Sequence, residues 1–439
     1  MKTFNSTAYF VFLSSLSALS AQNWQPMAVG VLPPNQGIYA VSAIGDNIVW
    51  ATASGDFNVI PATHTPWILR TSDGGQTWVA HPVTPAAGTI SFQIVAVDSL
   101  TAWITTNDYG GGGGRALYKT MDGGVTWAKK LNHPSGGVAL NRFADGQHWF
   151  AQNRQANSQS SDDGESWNST TITGYQTNEY QILYAGCNLS NTVGDTVWSG
   201  TNAGRIVRFT GYGTNHQFFN TNLGNTTEVS SIAFQDHLHG LCYSRNAAYN
   251  HRIARSMDGG ATWSILAQQP GNTTGWTIAA VPDWPGFYVL ASHYGYPGKV
   301  AITTNFGDSW SVENVDHIFN GVVFTSPSTG WTGASWIASE SEPAIYKYNG
   351  SPLVSTGVPT EWTGFSVFPN PVSDILYFDL DAVAAGSPVA ATLTDLAGLP
   401  VFSGKIADGQ LNVSHLPAGL YFLKIETPQG TALRKIVRQ

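Results

Sequence analysis

An eight-residue pattern, Ser/Thr-x-Asp-x-Gly-x-Thr/Ser-Trp, recurs along the chain and restricts the folds that it can adopt. Its five copies begin at Thr71, Thr120, Ser160, Ser256 and Thr303, and the last has Asn in place of Asp. The paired Asp and Trp positions are Asp73 and Trp78, Asp122 and Trp127, Asp162 and Trp167, Asp258 and Trp263, and Asn305 and Trp310. Repetition of this kind is typical of architectures that reuse one supersecondary unit.

The residue types of the octapeptide suit a hairpin turn. Asp and Asn side chains accept hydrogen bonds from backbone N–H groups of tight turns. Gly adopts the positive φ that such turns require, and Trp supplies a large surface for packing between sheets. We therefore predict five turns whose carboxylates are structural, and no metal-binding or catalytic role for them.

A second element recurs with the octapeptide. An apolar strand and a turn precede each of seven anchor residues, which are Trp50, Trp103, Trp149, Trp198, Cys242, Tyr288 and Trp331. Each unit then contains four short antiparallel strands in roughly 45 residues, which is typical of a propeller blade. Only 11% of the residues are charged and 47 are Gly, which also favours many short strands and turns over long solvated helices. The sequence predicts an all-β fold whose residues 22–350 form a seven-bladed β-propeller.

Two units depart from the pattern. The unit around Trp198 has residues 208–214 in place of the octapeptide, and the last unit ends at Gly350 without a Trp-bearing fourth strand. The sequence around Trp24 resembles the text that follows the octapeptides. We predict that residues 22–28 form the outer strand of the last blade, pair near Tyr346 and remove the exposed sheet edges.

The two ends of the chain differ from the repeats. Residues 1–21 combine Lys2, an apolar stretch and small residues up to Ala21, which indicates a secretory signal peptide. No later segment reaches the ~20 apolar residues of a membrane span. Residues 351–363 read as a linker, and residues 364–439 predict a small immunoglobulin-like β-sandwich. Cys187 and Cys242 either pair in an oxidising compartment or are two small buried residues.

Two resemblances follow from these motifs. The octapeptide is similar to the Asp-box, or BNR repeat, of sialidases and related propellers, and the resemblance covers residues 23–350. It implies a fold, not an activity. Phe368-Pro-Asn-Pro371, Asp395-Leu-Ala-Gly398 and Leu416-Pro-Ala-Gly-Leu-Tyr421 resemble the type A sorting domain of type IX secretion cargo in Bacteroidetes-like bacteria. That resemblance implies Sec export, contact of residues 364–439 with the secretion machinery, and a secreted or cell-surface protein.

Charge and loop composition direct the functional prediction. The formal net charge of −8 gives no basic patch for nucleic acid. In propellers, ligands usually bind at the face opposite the octapeptide turns. The candidate ligand-binding residues in those loops are Trp67, Tyr109, Arg115, Arg154, Arg205, Arg252, His293, Tyr294 and Trp336. Aromatic rings beside polar groups suit sugars or extended peptides, so we predict a glycan- or protein-binding module without a cofactor or metal.

The alternative is a glycoside hydrolase. The sialidase resemblance implies three convergent arginines, a Tyr with a Glu, and an Asp. The Phe/Tyr-Arg-Ile-Pro sequence of that family is missing, and the nearest text is His251-Arg252-Ile253-Ala254. A hydrolase with two carboxylates would instead need two acids ~5–10 Å apart, and the candidates are Asp56, Asp108, Glu340 and Glu342. Whether the chain is an enzyme stays open, and binding is favoured.

Overall fold

The computed structural model describes residues 24–55, 64–107, 115–133, 139–183, 188–225, 227–245, 252–271, 276–292, 298–349, 365–380, 389–394, 400–406, 409–427 and 430–439. The predicted signal peptide and linker lie outside these ranges. The chain divides into two compact units, with the boundary between Leu353 and Val354. Apart from one short 3-10 turn, Thr84–Ala86, the regular structure of the described residues is β-strand.

The first unit contains seven four-stranded antiparallel sheets in its described residues. Sheet 1 contains β2 (Gly37–Ile44), β3 (Ile48–Ser54), β4 (Trp67–Thr71) and β5 (Val79–Pro82). Sheet 2 contains β6 (Ile90–Ala96), β7 (Ala102–Asn107), β8 (Arg115–Thr120) and β9 (Ala128–His133). Sheet 3 contains β10 (Ala139–Arg142), β11 (Trp149–Gln152), β12 (Ala156–Ser160) and β13 (Asn168–Thr171). Sheet 4 contains β14 (Ser190–Val193), β15 (Thr196–Gly200), β16 (Arg205–Thr210) and β17 (Asn215–Asn220). Sheet 5 contains β18 (Glu228–Phe234), β19 (Gly240–Arg245), β20 (Arg252–Ser256) and β21 (Ser264–Ile265). Sheet 6 contains β22 (Trp276–Ala280), β23 (Tyr288–Ser292), β24 (Gly298–Thr303) and β25 (Ser311–Val315). Sheet 7 contains β26 (Phe319–Ser326), β27 (Thr329–Ala334), β28 (Pro343–Tyr348) and β1 (Trp24–Val29).

The first strands of the sheets contact one another in a closed cycle, in the order β2, β6, β10, β14, β18, β22, β26 and back to β2. Polar side chains connect neighbours in this cycle. The Gln93 amide exchanges two hydrogen bonds with the backbone of Leu140, at 2.6 and 2.9 Å. The backbone N–H of Ile278 donates to Ser231 Oγ at 3.0 Å. The first unit is therefore an all-β, propeller-like assembly of sheets.

The strand nearest the N-terminus completes sheet 7. β1 pairs antiparallel with β28, and Trp24 lies opposite Tyr348 and Pro26 opposite Tyr346. The centroid of the Trp24 ring lies 5.3 Å from that of the Phe319 ring and 5.4 Å from that of the Tyr348 ring. The predicted pairing of the N-terminal segment is confirmed for residues 24–27.

The octapeptides form hydrogen-bonded turns between the third and fourth strands. In the first copy, Asp73 Oδ1 accepts from the Thr77 backbone N–H at 2.9 Å and from Thr71 Oγ1 at 2.8 Å. Thr77 Oγ1 donates to Asp73 Oδ2 at 2.5 Å, and Trp78 Nε1 donates to the Gly75 carbonyl at 3.2 Å. These hydrogen bonds, first the one from the Thr77 hydroxyl, lower the pKa of Asp73 to about 2.

The other copies repeat this geometry with one exception. The turns of Asp122, Asp162 and Asp258 make the same hydrogen bonds. In the fifth copy the Asn305 amide donates to Ser309 Oγ at 2.9 Å. There the indole N–H of Trp310 is buried without a hydrogen-bond partner among the described residues. The Asn therefore preserves the turn, but the Trp of that turn is held differently.

The Gly of the octapeptide motif lies against an anchor Trp of the preceding sheet in the copies of Gly75, Gly164 and Gly260. A Cβ on Gly164 would lie 2.3 Å from Cη2 of Trp103, and one on Gly75 would lie 3.1 Å from Cη2 of Trp331. Both glycines have positive φ, +80° and +92°. Gly is thus required at these positions for two reasons: the backbone has positive φ, and a Cβ would collide with the neighbouring sheet.

A basic residue on the third strand makes a further connection to the next sheet. Lys119 Nζ donates to Asp163 Oδ2 at 2.7 Å, and Lys347 Nζ donates to the Gly74 carbonyl at 3.0 Å. Arg208 Nη1 donates to the Gly259 carbonyl at 2.9 Å. These long side chains cross from one sheet to the octapeptide, or its neighbourhood, on the next one.

The C-terminal unit consists of two sheets around one core. One contains β29 (Phe365–Phe368), β30 (Ile375–Leu380) and β33 (Gln410–Asn412), and the other β32 (Pro400–Ile406), β31 (Val389–Thr394), β34 (Gly419–Thr427) and β35 (Gly430–Arg438). Leu376 from the first sheet and Leu393 and Leu423 from the second are fully buried in the shared core. Asn370 donates to the Lys435 carbonyl at 2.6 Å, which ties the opening motif to the last strand.

Candidate functional site

The strand order places two kinds of connection on one face of the first unit. Each second strand runs to this face, so the connections between second and third strands lie there. The crossovers between sheets lie there as well, whereas the octapeptide turns lie on the opposite face. We call the former the crossover face.

The described candidates all lie at the crossover face. Trp67, Arg115, Arg205 and Arg252 are the first residues of third strands, and Arg154 and Trp336 lie in connections between second and third strands. Tyr109, His293 and Tyr294 lie outside the described residues, as do Asp56 and Asp108.

The structure does not bring these candidates into one pocket. Arg115 donates through Nε to Asn107 Oδ1 of its own sheet. Trp67 is half-buried against the core between sheets 7 and 1, while Trp336 and Arg252 are exposed. Arg154 and Arg205 are the two that meet a common segment, the crossover 172–189.

This crossover, which connects β13 to β14, is far longer than residues 316–318 or 30–36, which make other crossovers. One buried carboxylate fixes it. The Glu179 side chain is fully buried and forms an ion pair with Arg205 through both carboxylate oxygens. It also accepts from Thr201 Oγ1 at 2.7 Å and from the Gln176 backbone N–H at 2.8 Å.

The surroundings of the Glu179 carboxylate favour its charged form. Burial alone would raise its pKa, but the hydrogen bonds from Arg205, Gln176 and Thr201 and the charge of Arg205 hold that pKa below its ordinary value. Arg205 also lies 4.3 Å above the ring of Phe218 and donates to the Gly174 carbonyl. Its donors are therefore committed to holding the crossover.

Beside this ion pair lies a cleft of about 570 Å³ between sheet 3 and the crossover. Its lining residues are Asn153, Arg154, Gln155, Ala156, Thr171, Asn178 and Tyr180. The Arg154 guanidinium lies over the Tyr180 ring, 4.8 Å from the ring centroid. Arg154, Gln155, Thr171 and Asn178 are exposed, so the cleft opens widely to solvent.

Backbone contacts hold both walls of the cleft. The Gln181 N–H donates to the Arg154 carbonyl at 2.9 Å, and Gln155 Nε2 donates to the Glu179 carbonyl at 2.6 Å. Tyr180 N–H donates to Asn202 Oδ1 at 2.9 Å, and the Asn202 N–H donates back to the Tyr180 carbonyl at 3.1 Å. The cleft is thus formed before any ligand arrives.

The lining chemistry favours binding. It offers one guanidinium, three side-chain amides, one hydroxyl and one phenol, and its residues include no carboxylate, imidazole or thiol. Three-arginine convergence around a Tyr and a Glu is not found among the described residues. Of the two described candidate acids, Glu342 accepts the Ala338 backbone N–H at 2.9 Å and so caps its own loop.

The end of the crossover reaches the middle of the circle of sheets. Asn188 donates to the Ile278 carbonyl at 2.6 Å and to the Val322 carbonyl at 3.2 Å, which links sheets 6 and 7. A cavity of about 90 Å³ remains beside it, between the first strands of sheets 1 to 4.

Two further sequence features have plain structural outcomes. Asp236 Oδ1 accepts from the backbone N–H groups of Leu238 and His239, so this segment is a turn between β18 and β19. The described residues contain no group of three or more side chains suited to a metal ion. Cys242 is a fully buried free cysteine, which agrees with the alternative of a small buried residue, and Cys187 lies outside the described residues.

Comparison with known proteins supports two statements. Residues 366–439 match the family described as a secretion system C-terminal sorting domain. This segment is therefore a sorting domain of type IX secretion cargo, and it indicates secretion or display at the cell surface. No helix in the described part of the chain has the length and hydrophobicity to cross a membrane.

Solved structures resemble the first unit in fold. A structure of YCF48 bound to D1 peptide is 17% identical, covers 75% of this chain and 97% of its own, and has a TM-score of 0.52. A structure of U3-55K is 10% identical, its match covers 74% of this chain and 100% of its own, and the TM-score is 0.52. The Niastella koreensis GH74 enzyme is 12% identical, its match covers 91% of this chain and 78% of its own, and the TM-score is 0.41. No curated protein matches the chain. The two similarities with a TM-score of 0.52 support a propeller-like all-β fold.

Proposed function

We propose that the chain is an exported seven-bladed β-propeller that binds a glycan or protein ligand at its crossover face. The signal peptide, residues 1–21, would be removed, and residues 22–350 would form the propeller. Residues 351–363 would link it to an immunoglobulin-like sorting domain, residues 364–439. The closed cycle of first strands and the pairing of β1 with β28 support the seven-bladed arrangement.

The observation that carries the binding proposal is the preformed cleft beside the crossover. It presents hydrogen-bonding side chains and a guanidinium on walls held by backbone contacts. A preformed site binds with less loss of conformational freedom than one that must be ordered by its ligand. The long crossover that makes the cleft distinguishes sheet 3 from its neighbours, as a specific binding site would require.

The experiment is a binding screen of the purified mature chain against immobilised glycans and surface proteins. The control is a variant that closes the cleft, Ala156→Trp, which adds a large side chain to the lining. We expect a ligand that binds the parent chain and not the variant, while both have the same unfolding midpoint. A ligand that binds both equally would refute the cleft as the site.

Glycoside hydrolysis remains the alternative, but no observation among the described residues favours it. The same purified chain, incubated with fluorogenic sialosides and β-glucans, tests it directly. Turnover that survives dialysis against a chelator and is lost on substitution of Glu340 or Glu342 would replace the binding proposal with the enzymatic one.

A further inference from the structure

We infer that the ligand of the cleft is a polysaccharide that carries carboxylated sugars, and that Arg154 binds the carboxylate. This inference rests on the proposed binding function and specifies its ligand. It is carried by the state of the Arg154 guanidinium and by the polar groups around it.

Arg154 is held in position without being neutralised. Its guanidinium lies over Tyr180, and within the described residues no carboxylate contacts it. The contrast is Arg205, whose charge is matched by the buried Glu179. A cation stacked on an aromatic ring keeps its N–H groups free at the edge of its plane.

The free edge of a guanidinium selects a planar anion. Two parallel N–H groups match the two oxygens of a carboxylate, and such bidentate pairs are stronger than neutral hydrogen bonds. The lining supplies no second cation, which a doubly charged phosphate group would favour. A single carboxylate is therefore the anion that fits this cleft.

The neighbours of Arg154 favour a sugar over a peptide. Asn178 presents an amide, which both donates and accepts, and Thr171 presents a hydroxyl. Asn153 and Gln155 add amide groups, although Asn153 Oδ1 already accepts the Arg154 backbone N–H and Gln155 Nε2 already donates to the Glu179 carbonyl. Sugar hydroxyls also donate and accept, so they satisfy such a set. A bound peptide buries apolar side chains in pockets, whereas Ala156 is the one aliphatic residue among the described residues of the lining, and Arg154 covers one face of the Tyr180 ring.

The test uses two polyuronates, polygalacturonate and alginate, with the fully methyl-esterified form of polygalacturonate as the neutral probe. The mature full-length chain is compared with Arg154→Gln and with Lys129→Gln. Lys129 is a matched control because it is also an exposed cation over a tyrosine ring, 5.5 Å from the Tyr118 centroid, but it lies on the outer strand of sheet 2.

We expect the parent chain and Lys129→Gln to bind at least one polyuronate with equal affinity and to lose binding on esterification. Arg154→Gln should weaken binding by about 10- to 100-fold, the effect of losing a hydrogen bond to a charged group. Equal binding of the esterified polymer would overturn the carboxylate assignment. Unchanged binding by Arg154→Gln would overturn the residue assignment. Neither of these two results would contradict the proposal that the propeller binds a glycan. If the chain instead binds a protein and no polysaccharide, the ligand class is wrong, but the cleft can still be the binding site.

Discussion

Replacing Gly164 with Ala tests whether close contact between neighbouring sheets explains the octapeptide glycine. The added Cβ would lie 2.3 Å from Cη2 and 2.5 Å from Cζ2 of Trp103. The Trp103 side chain is fully buried, and its ring is already in contact with Trp149, at 5.0 Å between ring centroids, and with Trp167, at 6.2 Å. The indole therefore has little room to move away.

Two contributions set the expected loss of stability. An L-residue in the left-handed region costs roughly 1–2 kcal/mol relative to Gly, and Gly164 has a φ of +80°. Overpacking a filled core costs roughly 1–3 kcal/mol. The free energy of unfolding of Gly164→Ala should therefore fall by about 2–5 kcal/mol.

Urea unfolding followed by tryptophan fluorescence measures this loss, and two other glycines separate its parts. Gly45→Ala meets the left-handed strain alone, because Gly45 has a φ of +55° and no atom lies within 4 Å of its new Cβ. Gly75→Ala is intermediate, since its Cβ would lie 3.1 Å from the Trp331 ring. We expect the loss to increase from Gly45 to Gly75 to Gly164. Equal losses at Gly45 and Gly164 would show that the contact with Trp103 contributes nothing.

Three further predictions concern charge and export. The octapeptide aspartates with a folded pKa of about 2 and an ordinary value of 3.8 bind protons more readily when unfolded, so their contribution is complete above about pH 5 and is lost as pH falls toward 2. Urea midpoints should therefore fall from pH 5 to pH 4 to pH 3, and a flat series would contradict it. Glu179→Gln leaves Arg205 without its counter-charge and should lower the unfolding free energy by about 3–5 kcal/mol. The double variant Glu179→Gln/Arg205→Met should recover part of this loss. An unchanged unfolding free energy in the single variant would show that the ion pair does not hold the crossover. Deleting residues 364–439 should leave the protein in the periplasm, as measured by fractionation; undiminished surface export would contradict the sorting role.

The sequence predicts the repeating part of this fold because its determinants are local. Asp73 and Thr77 are four residues apart, so their turn chemistry can be recognised in a short window, and each copy reinforces the reading of the others. The pairing of Trp24 with the last sheet is long-range. It could nevertheless be predicted, because the last repeat lacked a fourth strand and the segment around Trp24 belonged to no other repeat.

The candidate site could be predicted only in part, because its determinants are long-range. Arg154 and Arg205 were recognised as polar residues of the correct face. Nothing local distinguishes the free guanidinium from the one paired with Glu179, since that acid lies on another connection. The bonds of Lys119 and Lys347 to the next sheet were missed for the same reason, although a basic residue immediately before Thr120 is a signal that could have been used.

The pairing of β1 with β28 has a consequence for the time at which the protein can fold. The two partners are separated by almost the whole first unit, and forming such a contact requires closing a very long loop. During synthesis, β1 stays without its pairing partner until β28 has been made. The circle of sheets therefore cannot close until Pro343–Tyr348 has been synthesised, however early the other sheets form.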